Sequence, residues 1–222
     1  GSNNSIGIKT NGTLWACGSN YYNQLGDGTG IDKYIPIQIG TATDWMIVSG
    51  GYGHSLALKT DSTLWAWGYN GNGELGIPTN NNLIYPTKIG SANNWKSISG
   101  GGSHSMALKS DGSLWVTGRN MEGQLGDGTN TDKGSFTKLG TSNDWVGICG
   151  SELHSEAIKS DGSLWAFGNN YSGQLGDGTN INKNIPVMIN CPTIGLKELR
   201  SSANSLYVFP NPASSVLYIK NE

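Results

Sequence analysis

Large and small residues alternate at the strand period along His54-Ser55-Leu56-Ala57-Leu58-Lys59. The turn residues Thr60-Asp61-Ser62-Thr63 then lead into a second short run, Leu64-Trp65-Ala66-Trp67-Gly68. Two such runs joined by turn chemistry predict a β-hairpin. The equivalent turns, Ser110-Asp111-Gly112-Ser113 and Ser160-Asp161-Gly162-Ser163, carry an Asp-Gly pair whose second residue tolerates positive φ. Beyond Gly68 a Gly/Asn-rich loop reaches a third apolar segment, Tyr85-Pro86-Thr87-Lys88-Ile89. A fourth, Trp95-Lys96-Ser97-Ile98-Ser99, closes on Gly100-Gly101. The pattern predicts four short strands per unit.

The unit returns in phase. Leu14-Trp15-Ala16-Cys17-Gly18, Leu64 to Gly68, Leu114-Trp115-Val116-Thr117-Gly118 and Leu164-Trp165-Ala166-Phe167-Gly168 are displaced by 50 residues each. Gln24-Leu25-Gly26, Glu74-Leu75-Gly76, Gln124-Leu125-Gly126 and Gln174-Leu175-Gly176 keep the same register, as do Trp45, Trp95 and Trp145. A four-stranded unit of this length is expected to be a blade that packs radially on its neighbours. Trp65 and Trp67 then point to one side, Leu64 and Ala66 to the other. The fold class expected is all-β, a partial β-propeller of about four blades followed by a short β tail.

The segments His54 to Lys59, Leu64 to Gly68 and Gln124-Leu125-Gly126-Asp127-Gly128-Thr129 resemble the regulator of chromosome condensation repeat, and the resemblance covers residues 1 to about 190. It implies a propeller that usually closes with seven blades. Asn4 stands where later copies have His54, His104 and His154, so the chain is expected to begin inside a blade and to be part of a longer protein. In the founding eukaryotic member, nucleotide exchange on a small GTPase is attributed to an inserted β-wedge. The constant unit length carries no such insertion, so that activity is not expected here. The blades are bounded at about 1–50, 51–100, 101–150 and 151–190.

After a polar linker, 191–205, residues 206–222 change character. Leu206-Tyr207-Val208-Phe209-Pro210-Asn211-Pro212-Ala213-Ser214-Ser215 precedes Val216-Leu217-Tyr218-Ile219, two strand-like runs around a Pro-Asn-Pro turn. This stretch resembles the opening of the carboxy-terminal sorting domain used by the type nine secretion system of Bacteroidota. It implies a secreted or surface-displayed protein and a domain truncated at Glu222.

Composition excludes several classes. The net charge is −2, 14% of residues are charged, and no like-charge run draws the chain to nucleic acid; no apolar stretch approaches a membrane span. Three cysteines, Cys17, Cys149 and Cys191, fall at unrelated places in the repeat and suggest no disulfide framework. His54, His104 and His154 sit at equivalent blade positions, too spread around an arc to share an ion. They are expected instead to hydrogen-bond their own blade's backbone near Gly51 or Gly101. Asp127-Gly128-Thr129-Asn130-Thr131-Asp132 has oxygen ligands at alternate positions. It lacks a distal glutamate, and Ile77-Pro78-Thr79 loses the aspartate without loss of register, so a turn is the expectation. No metal and no cofactor are assigned, and no nucleophile elbow or phosphate loop appears.

What remains is a surface. Turns near Asp61 and Asn93 should share one end of the blades, and loops near Tyr52 and Tyr69 the other. At that second end the copies diverge, and Tyr21, Tyr22, Tyr52, Tyr69, Arg119, Met121 and Tyr171 form the candidate binding face, rich in side chains that supply contact area at low entropic cost. The expected function is a non-catalytic binding scaffold for a protein or glycan ligand. Two alternatives stay open: a carbohydrate-active enzyme using Glu74, Glu122, Glu152 or Glu156 from separate blades, and architectural spacer repeats of a larger surface protein. Open blade edges at either end predict self-association.

Overall fold

A computed structural model describes residues 1–190. The linker and sorting-domain expectations for 191–222 lie outside the described residues.

Every regular element described is a strand, and the strands form four antiparallel sheets. The first holds β1 (Asn4–Ile8), β2 (Leu14–Gly18) and β3 (Lys33–Gln38). The second holds β4 (Trp45–Gly50), β5 (His54–Lys59), β6 (Leu64–Gly68) and β7 (Leu83–Lys88). The third repeats this with β8 (Trp95–Gly100), β9 (His104–Lys109), β10 (Leu114–Gly118) and β11 (Lys133–Lys138). The fourth consists of β12 (Trp145–Gly150), β13 (His154–Lys159), β14 (Leu164–Gly168) and β15 (Lys183–Met188). The all-β propeller arc expected from the pattern is therefore present, with three strands in its first sheet. The strand opened by each late tryptophan pairs forward: β8 bonds β9 rather than β7. Sheet and sequence unit are thus out of phase by one strand.

The predicted hairpins form with the register Leu58↔Leu64 and His54↔Gly68. Their turns need a left-handed residue, supplied by Gly12, Gly112 and Gly162 at φ near 80° and, in the second sheet, by Ser62 at φ 60°. The aspartate before each left-handed residue caps the start of the next strand: Asp61 Oδ1 accepts from the Thr63 amide at 3.0 Å and the Thr63 hydroxyl at 2.6 Å. That threonine in turn accepts the Trp65 indole N–H at 2.9 Å. Asn11 does the same work in the first sheet.

Burial divides each sheet as the alternation dictates. Leu56, Leu58, Leu64 and Ala66 face the third sheet and pack with Trp95, Ile98 and Trp115. Trp65 and Trp67 face the first sheet and pack with Leu14, Ala16 and Trp45. The third interface repeats the scheme with Met106, Leu108, Leu114, Val116, Trp145 and Trp165. No sheet could bury both faces alone, so the core is made of interfaces. On the outward face of the fourth sheet Ile158 is 43% exposed, whereas its counterparts Leu58 and Leu108 are buried.

The strands β4, β8 and β12 lie side by side at the centre of the arc. Glycine permits this approach: a Cβ on Gly100 would stand 2.9 Å from the Gly51 nitrogen, and one on Gly150 would stand 2.9 Å from the Gly101 nitrogen. Two hydrogen bonds tie the strands together, from the Gly100 amide to Ser49 Oγ at 3.0 Å and from the Gly150 amide to Ser99 Oγ at 2.8 Å. At the opposite edge β3, β7 and β15 carry Pro36, Pro86 and Pro186, which remove one amide donor from each edge strand and discourage edge-to-edge pairing.

Candidate functional site

The loop after the second strand of each hairpin is built on one asparagine. Asn20, Asn70, Asn120 and Asn170 are fully buried. Each side-chain oxygen accepts a backbone amide five residues on, Leu25 at 3.0 Å and Leu125 at 2.9 Å for example. The same residue's amide N–H donates to a side-chain oxygen twelve residues on: Asp32, Asn82, Asp132 or Asn182. Sequence reasoning missed this clamp, although the asparagine recurs in phase with the other landmarks. It fixes the loop base, so that the residues beyond it can vary.

Asp127 belongs to the same framework. Its carboxylate accepts from the Thr129 amide (2.9 Å), the Thr129 hydroxyl (2.7 Å) and Asn120 Nδ2 (3.0 Å), and pairs with Lys133 at 2.9 Å. Asp27–Lys33 and Asp177–Lys183 repeat the ion pair at 3.0 and 3.1 Å. Hydrogen bonds from Thr179, opposed by desolvation and assisted by Lys183, hold the Asp177 carboxyl far below the usual carboxylate range. In the second sheet Ile77 and Leu83 replace both partners and pack into the core, so charge and counter-charge vanish together. The oxygen-rich run is a self-satisfied turn.

On this base the loops place the candidate residues at one end of the sheets. The Tyr69 amide bonds the Gly53 carbonyl and the Arg119 amide that of Ser103, which joins the two variable loops in each sheet; Thr60 bonds Asp44 at the opposite end. Tyr21 and Tyr22 meet edge to face at 4.9 Å and 83°, and Tyr22 and Tyr69 lie 4.9 Å apart at 60°. This cluster crosses the junction between the first and second sheets. Glycine seats it: a Cβ on Gly53 would stand 2.9 Å from the Tyr22 ring, and one on Gly71 would strike the Tyr69 hydroxyl group. Tyr21 remains 78% exposed.

The other candidates stand apart. Arg119 is paired with Glu122 at 3.0 Å in the third sheet's loop, beside the exposed Met121. Tyr171 is exposed on the fourth sheet's loop, and Tyr52 on the rim of the central channel. Among the described residues no ring contact joins Tyr52 or Tyr171 to the trio.

The histidines bind differently from expectation. His54 Nε2 meets Ser105 Oγ of the next sheet at 2.9 Å, and His104 Nε2 meets Ser155 Oγ at 2.8 Å. Those hydroxyls donate onward to the Glu74 and Gln124 carbonyls, both at 2.7 Å, so each serine accepts from a neutral Nε2–H. The expectation of a bond to the histidine's own blade fails because glycine at 51 and 101 lets the ring pass over the backbone and reach the neighbouring sheet. Desolvation, joined by nearby positive charge, lowers His54 to about 4 and His104 to about 3. His154 is part-exposed, with Glu156 4.0 Å away. His54 and His104 are joints between blades.

Glu74 and Glu122 are likewise held locally, Glu122 by Arg119. Glu74 is buried and accepts from the Asn72 amide (2.9 Å) and Nδ2 (2.7 Å), while burial pushes its carboxyl up. Among the described residues no group of three or more His, Cys, Asp or Glu side chains is placed to hold a metal ion.

The family model described as the regulator of chromosome condensation (RCC1) repeat matches residues 11–58, 61–108 and 161–195, and a second model of that repeat matches 47–74 and 95–124. None of the curated proteins compared with the chain matches it. Among solved structures, human WBSCR16 superposes with a TM-score of 0.77 at 21% identity, covering 86% of this chain and 51% of that one. Prp20p of Saccharomyces cerevisiae, described with its binding properties to Gsp1p and histones, gives 0.77 at 22%, covering 85% and 49%. Yeast RCC1 (Prp20) bound to Kap60 gives 0.75 at 22%, covering 85% and 47%. The chain spans about half the length of these relatives.

Proposed function

Because the chain belongs to the regulator of chromosome condensation (RCC1) repeat family, we propose that it is a protein-binding scaffold whose partner docks on the variable-loop end of the arc. The observation that carries this reading is the Tyr21–Tyr22–Tyr69 cluster, raised by a regular framework across two adjacent sheets. Aromatic side chains of this kind contribute much contact area for little lost rotamer freedom. Propellers of the same fold engage proteins: Prp20p is described with Gsp1p and histones, and with Kap60. Arg119, Met121 and Tyr171 extend the face along the arc. The reading assigns no reaction to the chain.

The test is to immobilise the protein and its Y21A/Y22A/Y69A variant and compare what each retains. Loss of the retained protein, with thermal unfolding unchanged within about 2 °C, supports the face; equal retention overturns it. A glycan array run in parallel tells a sugar ligand from a protein one. Export to the cell surface is part of the proposal and rests on the Phe209-Pro210-Asn211-Pro212-Ala213 stretch. Cell fractionation with and without residues 191–222 tests it, and an unchanged distribution removes it.

A further inference from the structure

The first and last junctions between sheets enclose the same kind of cavity. Between the first and second sheets a space of about 320 Å³ is walled by Trp45, Lys59, Trp65 and Pro86 on one side and by Gly26 and Ile39 on the other. Between the third and fourth sheets a space of about 380 Å³ is walled by the equivalent residues, Trp145, Lys159, Trp165 and Pro186 facing Gly126 and Leu139. Both are of small-ligand size. The middle junction is built differently: Ser135-Phe136 replaces Tyr85-Pro86 and Ile185-Pro186, the Phe136 ring lies 5.5 Å from Trp95, and Asn94 replaces Asp44 and Asp144.

The two cavities share one inner geometry. Their indoles meet edge to face, Trp45 and Trp65 at 5.5 Å and 78°, Trp145 and Trp165 at 6.0 Å and 81°. A lysine lies across both rings: Lys59 Nζ is 4.8 and 4.5 Å from the two centroids, Lys159 Nζ 4.8 and 5.0 Å. Asp44 at 3.0 Å and Asp144 at 3.3 Å pin the ammonium groups, and Lys159 also donates to Ser142 Oγ at 3.1 Å. Asp127, which lines the second cavity, is paired with Lys133 at 2.9 Å. Every charge in the walls is therefore balanced, and the cavities select neither an anion nor a cation. They offer flat apolar surface, from the half-buried Trp65 and Trp165 and from the prolines, beside a fixed N–H donor. A neutral ring with an apolar face and a hydroxylated edge matches both features: its C–H groups pack on indole, and a hydroxyl both accepts from the ammonium and donates to a neighbouring oxygen.

We propose that each of these cavities binds one hexopyranose unit of a glycan. Two copies of one site in a single chain suit a ligand whose units repeat. The sites share no residue with the Tyr21–Tyr22–Tyr69 cluster, and neither reading requires the other.

The experiment titrates the protein with the methyl glycosides of glucose, galactose and mannose, with p-cresol and with acetyl-Gly-Phe-Gly-amide, followed through the indole resonances of Trp65 and Trp165. At least one glycoside should shift both resonances saturably. K59M and K159M should each weaken binding at their own cavity about tenfold. K109M, the same change at the middle junction, is the control and should leave both responses as they are. T41W serves where K59M fails to fold: Thr41 is an exposed residue of the first cavity, so an indole there should block the Trp65 response and spare that of Trp165. Saturation by p-cresol or the phenylalanine peptide but by no glycoside would overturn the proposal. So would the absence of saturation by any probe, or equal losses in K59M, K159M and K109M.

Discussion

Acidification from pH 7 to pH 5 should weaken this fold through its two buried histidines. In the unfolded chain an imidazole takes up its proton near its ordinary 6.5. In the folded protein desolvation delays that step to about 4 for His54 and about 3 for His104. Between those values the unfolded state binds more protons, so stability falls as pH falls below about 6.5 and continues to fall until the folded-state values are reached. At pH 5 the unfolded imidazole lies about 1.5 pH units below its midpoint, which amounts to about 2 kcal/mol per histidine and about 4 for the pair. For a domain of this size that is a drop in melting temperature of about 8–16 °C.

Burial also lowers the His154 imidazole and adds to the fall in the same direction, whereas the carboxyl groups act outside this window or against it. Asp27, Asp127 and Asp177 have lowered carboxyls and lose their stabilising effect only below the ordinary aspartate range. Glu74 is raised by burial, so its protonation relieves a cost as pH falls and opposes the histidines. Urea unfolding at pH 7 and pH 5, monitored by tryptophan fluorescence, reads the difference. Asparagine already fills the equivalent position at Asn4, so H54N/H104N is the natural comparison. The variant should be weaker at pH 7, having lost its bonds to Ser105 and Ser155, yet its drop between pH 7 and pH 5 should shrink by about 4 kcal/mol. A variant that keeps the whole drop would refute the assignment.

Two further substitutions test the framework. S62G should raise stability by about 0.5–1 kcal/mol, seen as a higher urea midpoint, because Ser62 holds a left-handed φ that its counterparts Gly12, Gly112 and Gly162 meet without strain. D127I alone should cost about 1–3 kcal/mol by leaving Lys133 and Asn120 without their carboxylate, whereas D127I/K133L, which copies Ile77 and Leu83, should recover most of the loss. Additive losses in the double variant would show that the pair is not coupled.

Much of the architecture is legible in the chain because it is local and repeated. The hairpin between Lys59 and Leu64 needs only alternation and a turn, and the phase of Trp15, Trp65, Trp115 and Trp165 announces that one solution is used throughout. The turn at Asp127 is equally accessible, since Ile77 shows that the loop survives without a carboxylate. The buried asparagines are just as periodic, but their importance lies in amide groups whose partners are set by a folded loop.

The strands, the two-sided burial of each sheet and the end at which variation collects can all be read from the chain, because they depend on side-chain period and backbone turn preference. Which strand belongs to which sheet, that His54 crosses to Ser105, and that Tyr22 meets Tyr69 were set by the packed sheets alone. Those contacts join residues of neighbouring blades. Their geometry depends on how closely glycine lets one blade's backbone approach the next.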